Sequence, residues 1–258
     1  MKVIAAYSIK GGVGKTTAAT NLSWLSAAEG RRTLLWDLDP QGGATFLFRV
    51  QPKVKGGAKA LMRGGKEVAD AIKASDFPNL DILPADSSYR YLDLFLDEQK
   101  RPTKRLGILI DRLAEEYDLV VMDCAPSVSL ISENIVRAAD LVVAPVLPSP
   151  LSLRTLDQLA AFADETPGRT PPILAFLSMV DMRRRMHREM SEHVPDKRIE
   201  MARTAIPAAA VVEQMGTHRA PVVQWAPRSS AARAYAALWR EVSDRVKSGK
   251  HGAPYQGH

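Results

Sequence analysis

The run Lys10-Gly11-Gly12-Val13-Gly14-Lys15-Thr16-Thr17 decides how the rest of this chain is read. It follows a short apolar segment, Val3-Ile4-Ala5-Ala6-Tyr7, and opens into a helix-forming stretch from Thr17 to Glu29. A strand, a glycine loop and a helix in that order make a cradle for a polyphosphate. Glycines at 11, 12 and 14 remove the side chains that would hold an anion off the backbone, so successive N–H groups and the helix N-terminus can point at its oxygens. Lys15 then supplies a cation for the β- and γ-phosphates, and the Thr16 hydroxyl a ligand for Mg²⁺.

The common form of such a loop, G-x-x-x-x-G-K-[ST], has glycine where this chain has Ile9, and this chain adds Lys10 at the mouth. The form K-G-G-x-G-K-T-T resembles the deviant Walker A loop of the ParA/MinD family of P-loop ATPases. On that resemblance the nucleotide contacts are Gly11, Gly12, Val13, Gly14, Lys15, Thr16 and Thr17, the cofactors are ATP and Mg²⁺, and Lys10 reaches across a dimer to the partner's nucleotide.

A chain of 258 residues with 46% hydrophobic content can bury a full core. No apolar run approaches the length of a membrane span, and the first apolar segment runs into the glycine loop rather than a cleavage site. One cysteine, Cys124, rules out an internal disulfide framework or a Cys-x-x-Cys metal site, so a cytoplasmic protein is expected. The five histidines show no ligand spacing. Residues 1–170 hold 21 Lys and Arg against 21 Asp and Glu, whereas residues 171–258 hold 14 against 8, so the whole net charge of +6 lies in the last third. Such an excess suits either a polyanionic partner or solubility alone.

Leu34-Leu35-Trp36-Asp37-Leu38-Asp39-Pro40-Gln41-Gly42 reads as an apolar strand that ends in two carboxylates and a turn, at the ligand-binding edge of a parallel sheet. Arg49 to Lys66 is basic and glycine-rich, read as a loop-rich insertion that either touches nucleic acid or is a solvated surface. Helical spacing follows at Glu67 to Ala74, Tyr89 to Leu96 and Lys104 to Glu116, with a short strand at Leu80 to Pro84. Leu119-Val120-Val121-Met122-Asp123 is apolar until its last residue, the Walker B pattern, with a carboxylate placed to accept from a Mg²⁺-bound water. Strands at Leu141 to Pro145 and Ile173 to Met179 flank a helix Ser152–Glu165, and a last helix, Ser229 to Lys247, carries Tyr235, Leu238, Val242 and Val246 on one side. The fold class expected is α/β, a doubly wound, mostly parallel sheet with helices on both faces. Residues 1–247 form one domain in this reading, and residues 248–258 a polar, disordered tail.

The family resemblance extends over nearly the whole chain and implies further roles. Asp39 orients the attacking water, Asp37 sits nearer the metal's water shell, and Thr16, Asp37, Asp39 and Asp123 form the metal set. Ser178, Met179 and Pro207 are candidates for adenine contact. ATP-dependent dimerisation, slow hydrolysis stimulated by an activator or cargo adaptor, and non-specific binding of duplex DNA complete the picture, with the cargo positioned over the nucleoid and no membrane contact. Relatives commonly have Ile-Pro-Arg where this chain has Ile206-Pro207-Ala208. Arg183, Arg184, Arg185, Arg188, Arg203 and Arg219 are the basic residues available instead. The competing reading, a membrane-associated ATPase of the MinD kind, requires a terminal amphipathic helix that residues 248–258 do not offer. An iron–sulfur carrier needs paired cysteines, and for a metabolic P-loop synthetase no substrate pocket is legible.

Overall fold

The computed structural model describes residues 1–64, 66–181, 183–184 and 199–248. Its frame is a sheet of eight strands: β1 (Lys2–Ala6), β2 (Thr33–Asp37), β3 (Lys73–Ala74), β4 (Leu80–Leu83), β5 (Leu119–Asp123), β6 (Leu141–Val146), β7 (Ile173–Leu177) and β8 (Ile199–Met201). Their spatial order is β3-β4-β2-β5-β1-β6-β7-β8, and every neighbouring pair is parallel except β3 and β4.

The central strands read as unbroken apolar runs because both faces of a parallel sheet are covered. Alternate residues part into two layers. Val3, Ala5, Leu34, Trp36, Val120, Met122 and Val142 face one core, beneath the helices Gly57–Arg63, Leu92–Asp97, Arg105–Asp111, Leu130–Ala138 and Pro150–Glu165. Ile4, Ala6, Leu35, Val121, Val143 and Phe176 face the other, which is closed by α1 (Lys15–Ala28) and by the C-terminal helix Ser230–Ser248. Tyr235, Leu238, Val242 and Val246 of that last helix are buried as their spacing predicts. Strand β1, between β5 and β6, therefore delivers the glycine loop to the middle of the sheet's C-terminal edge. No helix among the described residues is long and apolar enough to cross a membrane.

Several local expectations are corrected. The basic insertion holds a helix, Gly57–Arg63, whose Ala58, Leu61 and Met62 are fully buried while Lys59 stays outside, pairing with Glu98 at 3.3 Å. Glycine-rich flanks hid it; Gly56 and Gly64, at φ 76° and 73°, are the turns that start and stop it. The stretch expected as a helix to Ala74 ends at Ala71, and Lys73–Ala74 folds back antiparallel on β4. A 3₁₀ turn at Ser87–Tyr91 precedes the helix Leu92–Asp97, and the helix begun at Arg105 stops at Asp111. Strand β8 had no counterpart in the sequence reading. Arg185 and Arg188, and residues 249–258 of the expected tail, lie outside the described residues.

One carboxylate fixes the chain after β8. Glu241 accepts from the backbone N–H groups of Arg203 and Thr204, each at 3.0 Å, and lies 4.0 Å from Arg245, which also pairs with Glu200. The segment it holds continues to Ile206, whose N–H donates to Leu177 at 2.8 Å, and to Pro207, bridged to Val180. Glu241→Ala removes two charge-assisted hydrogen bonds and is expected to cost about 1–3 kcal/mol of unfolding free energy, measured by urea titration. An unchanged midpoint would show that the segment holds without this carboxylate.

Candidate phosphate-binding site

The loop after β1 turns twice through left-handed backbone, at Gly12 (φ 69°) and Gly14 (φ 99°), where a side chain would be strained. At Gly14 a Cβ would also stand 3.0 Å from Ser178 Oγ, so Ser178 and Met179, at the end of β7, close directly on the loop. Helix α1 starts at Lys15 with no side-chain cap and no acidic residue in its first turn. Its free N–H groups and positive dipole end are thus left for an anion. Lys15 is buried, and its ammonium donates to the carbonyl of Lys10 at 3.0 Å, folding over the loop it belongs to. Burial lowers its pKa, while Asp123, Cys124 and Asp39 oppose that shift.

Opposite this cation stand two carboxylates. Asp37 and Asp123 are partners in register across β2 and β5, both fully buried. Both Asp123 oxygens lack a hydrogen-bond partner among the described groups. Burial, then Asp37, pushes the Asp123 pKa well above the ordinary carboxylate range, with Thr16 and Lys15 pulling the other way. Asp37 is raised by burial too, although its oxygens are occupied: Oδ2 accepts from the Thr45 N–H at 2.8 Å and the Thr45 hydroxyl at 2.7 Å, and Oδ1 from the Asp39 N–H at 3.2 Å. Asp39 accepts from the Gln41 N–H at 2.9 Å, capping the turn that follows β2. The short helix that follows, Gly43–Leu47, presses on the loop, since a Cβ on Gly43 would lie 3.1 Å from Thr16 Cγ2.

These residues suit a magnesium ion. A buried, unpartnered carboxylate at Asp123 and a half-buried hydroxyl at Thr16 supply oxygen donors. No group of three or more His, Cys, Asp or Glu able to hold a metal occurs among the described residues. That is the donor set Mg²⁺ uses when phosphate and water complete its octahedron, not an all-protein cage.

The remaining sequence candidates fall in three places. Met179, at φ 57° and 43% exposed, lies with Ser178 against the loop, and Pro207 is joined to the next residue, Val180. Lys10 donates to Ser152 Oγ at 3.2 Å. The arginines are dispersed. Arg183 is exposed and pairs with Asp181 at 2.9 Å, with Arg184 3.9 Å from the same carboxylate. Arg203 is exposed on the segment held by Glu241, and Arg219 lies over the Phe46 ring at 4.7 Å.

Three site residues escaped the sequence reading. Thr45 clamps Asp37, Ser152 receives Lys10, and the buried Tyr7 donates its hydroxyl to the Ser127 carbonyl in the loop after β5. None carries a spacing signal: Ser152 and Tyr7 meet partners more than a hundred residues away, and Thr45 reaches Asp37 only through the fold-back of the helix Gly43–Leu47. Cys124 is fully buried, and burial raises its pKa, which makes it a core residue without thiolate chemistry.

A family model described as an AAA domain matches residues 1–175. The sporulation initiation inhibitor protein Soj of Bacillus subtilis is 32% identical over 248 residues, covering 94% of this chain and 98% of that protein. The chromosome partitioning protein ParA of Caulobacter vibrioides is 30% identical over 260 residues, with 96% of each chain covered. Among solved structures, cobyrinic acid a,c-diamide synthase from Mycobacterium smegmatis, with bound ADP and magnesium, superposes with a TM-score of 0.79 at 24% identity over the full length of both chains, a likeness of fold. With a glycine loop carrying two lysines, a carboxylate at the end of β5 and relatives at this identity over almost its whole length, the chain belongs to the ParA/MinD family of P-loop ATPases.

Proposed function

We propose that this protein is an ATP-dependent positioning ATPase, which pairs on binding nucleotide, holds duplex DNA without sequence preference, and moves or segregates a cargo over the nucleoid. The observation that carries the nucleotide half is the opposition of charge at the sheet edge: an uncapped helix N-terminus and Lys15 on one side, the buried pair Asp37 and Asp123 on the other. The cargo half is supported by relatives that are chromosome partitioning proteins.

In this reading the loop N–H groups and Lys15 hold the β- and γ-phosphates, and Ser178, Met179 and Pro207 form the adenine side. Mg²⁺, taken by the Thr16 hydroxyl and through water by Asp123, would supply charge neutralisation at the phosphate oxygens. Asp39 receives a hydrogen bond from the attacking water and sets its direction, while Asp37 fixes the turn on which Asp39 sits. Lys10 of each subunit adds its charge to the other subunit's nucleotide, as a trans-acting cation does elsewhere in phosphoryl transfer. Turnover is slow until an activating partner completes the charge arrangement. Arg183, Arg184, Arg185, Arg188, Arg203 and Arg219 are the proposed phosphate contacts to DNA, and pairing doubles that basic surface.

The site supports three tests. Asp39→Ala is expected to bind ATP with the wild-type affinity by calorimetry but to hydrolyse it at least about a hundredfold more slowly, leaving paired protein on DNA. Wild-type turnover would remove Asp39 from the mechanism. The second test concerns Asp123, whose pKa is raised in the folded state. The folded protein then holds more protons than the unfolded chain above about pH 4, so the stability this group contributes is lost as pH rises through its folded pKa. Asp123→Asn should remove its part of that slope, leaving the part due to Asp37, raise nucleotide-free stability at pH 8 by about 1 kcal/mol, and weaken Mg²⁺-dependent ATP binding. A less stable variant with unchanged binding would count against the metal role. Third, replacing Arg183, Arg184 and Arg185 by Glu should leave ATP-dependent pairing intact and reduce the log–log salt slope of DNA binding by about 0.9 for each arginine–phosphate pairing removed. An unchanged slope would move the DNA surface elsewhere.

A further inference from the structure

The resting position of Lys10 is electrostatically odd. Its ammonium reaches Ser152 Oγ at 3.2 Å, and Ser152 Oγ lies 2.9 Å from Ser149 Oγ. Ser152 is the third residue of the 16-residue helix Pro150–Glu165, and Ser149 is its N-cap, whose hydroxyl makes no capping bond to the helix backbone. A cation is therefore docked in the first turn of a helix, at the positive end of the macrodipole, where anions are favoured. No carboxylate pairs with Lys10 among the described residues. The dock is two neutral hydroxyls, and Ser152 is 97% removed from solvent. A second constraint holds the lysine's backbone: the Lys10 N–H donates to the Ser8 hydroxyl at 3.3 Å, and its carbonyl receives Lys15.

We propose that Ser152, backed by Ser149, is a positioning residue that parks Lys10 on its own subunit and sets how readily that lysine is given up to the partner's nucleotide. The inference rests on the trans role assigned to Lys10 above. Hydroxyls hold the ammonium in place, yet an opposing helix end and the lack of a counter-charge keep the hold weak. A phosphate arriving across an interface offers full charge and wins the lysine. Because each subunit must release its own Lys10, the strength of the dock sets part of the cost of pairing. Ser152 is buried beneath the lysine, whereas Lys10 itself is half-buried, so it is the lysine and not the serine that a second subunit can reach.

The test measures the dock directly and then its consequence. In nucleotide-free protein, acylation of Lys10 by an N-hydroxysuccinimide ester, followed by mass spectrometry with Lys15 as internal reference, should be about three- to tenfold faster in Ser152→Ala than in wild type. With ATP and Mg²⁺, the same variant should pair at a concentration lower by a similar factor in sedimentation. Ser152→Thr, which keeps the hydroxyl, should behave as wild type in both. If Ser152→Ala folds poorly, Ser149→Ala removes only the backing hydroxyl and should still raise the Lys10 labelling rate. Equal labelling rates would overturn the proposal, and so would weaker pairing of Ser152→Ala, which would place the serine in the paired state instead. Should Lys10→Ala pair and turn over normally, the trans role falls, while the labelling ratio still decides whether Ser152 is the dock.

Discussion

Two carboxylates placed side by side at the ends of buried parallel strands are the constraint around which this protein is arranged. Asp37 and Asp123 are in register on β2 and β5, neither sees solvent, and Asp123 has no hydrogen-bond partner among the described groups. Such a pair is unfavourable for the fold alone, since burial and mutual repulsion both oppose its charged form. Its compensation is the opposite charge that the neighbouring strand delivers. Strand β1 runs between β5 and β6 and ends in the glycine loop, with Lys15 buried and α1 uncapped. A nucleotide with its metal fits between these signs, which is why stability and function diverge at this edge.

The hydrogen bonds of Asp37 also tie the site to a distant part of the chain. Thr45 donates twice to Asp37, and its hydroxyl accepts from the Ala85 N–H at 2.9 Å. The next residue, Asp86, receives the Val54 N–H at 2.9 Å and the Ser88 N–H at 2.9 Å, and Ser88 in turn takes the Ala58 N–H. The turn after β2 and the basic helix Gly57–Arg63 are therefore linked through one continuous polar chain. On the other side of the loop, Tyr7 and Ser132 both donate to the Ser127 carbonyl, so the segment after β5 is fixed to β1 and to the helix Leu130–Ala138. Both segments that follow the site carboxylates are thus held by side-chain hydrogen bonds as well as by their own short helices, Gly43–Leu47 and Leu130–Ala138.

The surface chemistry is less concentrated than the charge count alone implies. The excess of basic residues beyond 170 is real, but the described arginines there are spread over separate segments. Arg183 and Arg184 share Asp181, Arg203 rides on the chain held by Glu241, and Arg219 stacks on Phe46 while donating to its carbonyl at 3.1 Å. Arg219 does so from a left-handed backbone, as does Arg49, which reaches the His218 carbonyl at 3.3 Å. These two arginines bind the segment after the site turn to the segment before the last helices, a structural duty alongside any contact with a polyanion.

The sequence by itself determined the parallel sheet, the cradle and the carboxylates at strand ends, because each is written in a contiguous run. Apolar strands end in Asp37 and Asp123, glycines stand at 12 and 14 where the backbone turns left-handed, and Tyr235 to Val246 follow helical spacing. Local chemistry over five to ten residues suffices for such features. The helix Gly57–Arg63 was obscured by flanking glycines and lysines, since its three buried residues gain meaning only beneath Tyr89, Leu92 and Leu106. Strand β8 and the antiparallel β3 are too short to signal themselves and exist because an edge was there to pair with. Only the tertiary structure decided that Asp37 is clamped by Thr45, that Lys10 rests on Ser152 and that Tyr7 secures Ser127. The last two pairs are 142 and 120 residues apart, and which side chains meet at such separations is set by how the sheet and its crossovers pack, a property no local stretch contains; Thr45 is only 8 residues from Asp37, but it reaches that carboxylate because the helix Gly43–Leu47 folds back over the end of β2.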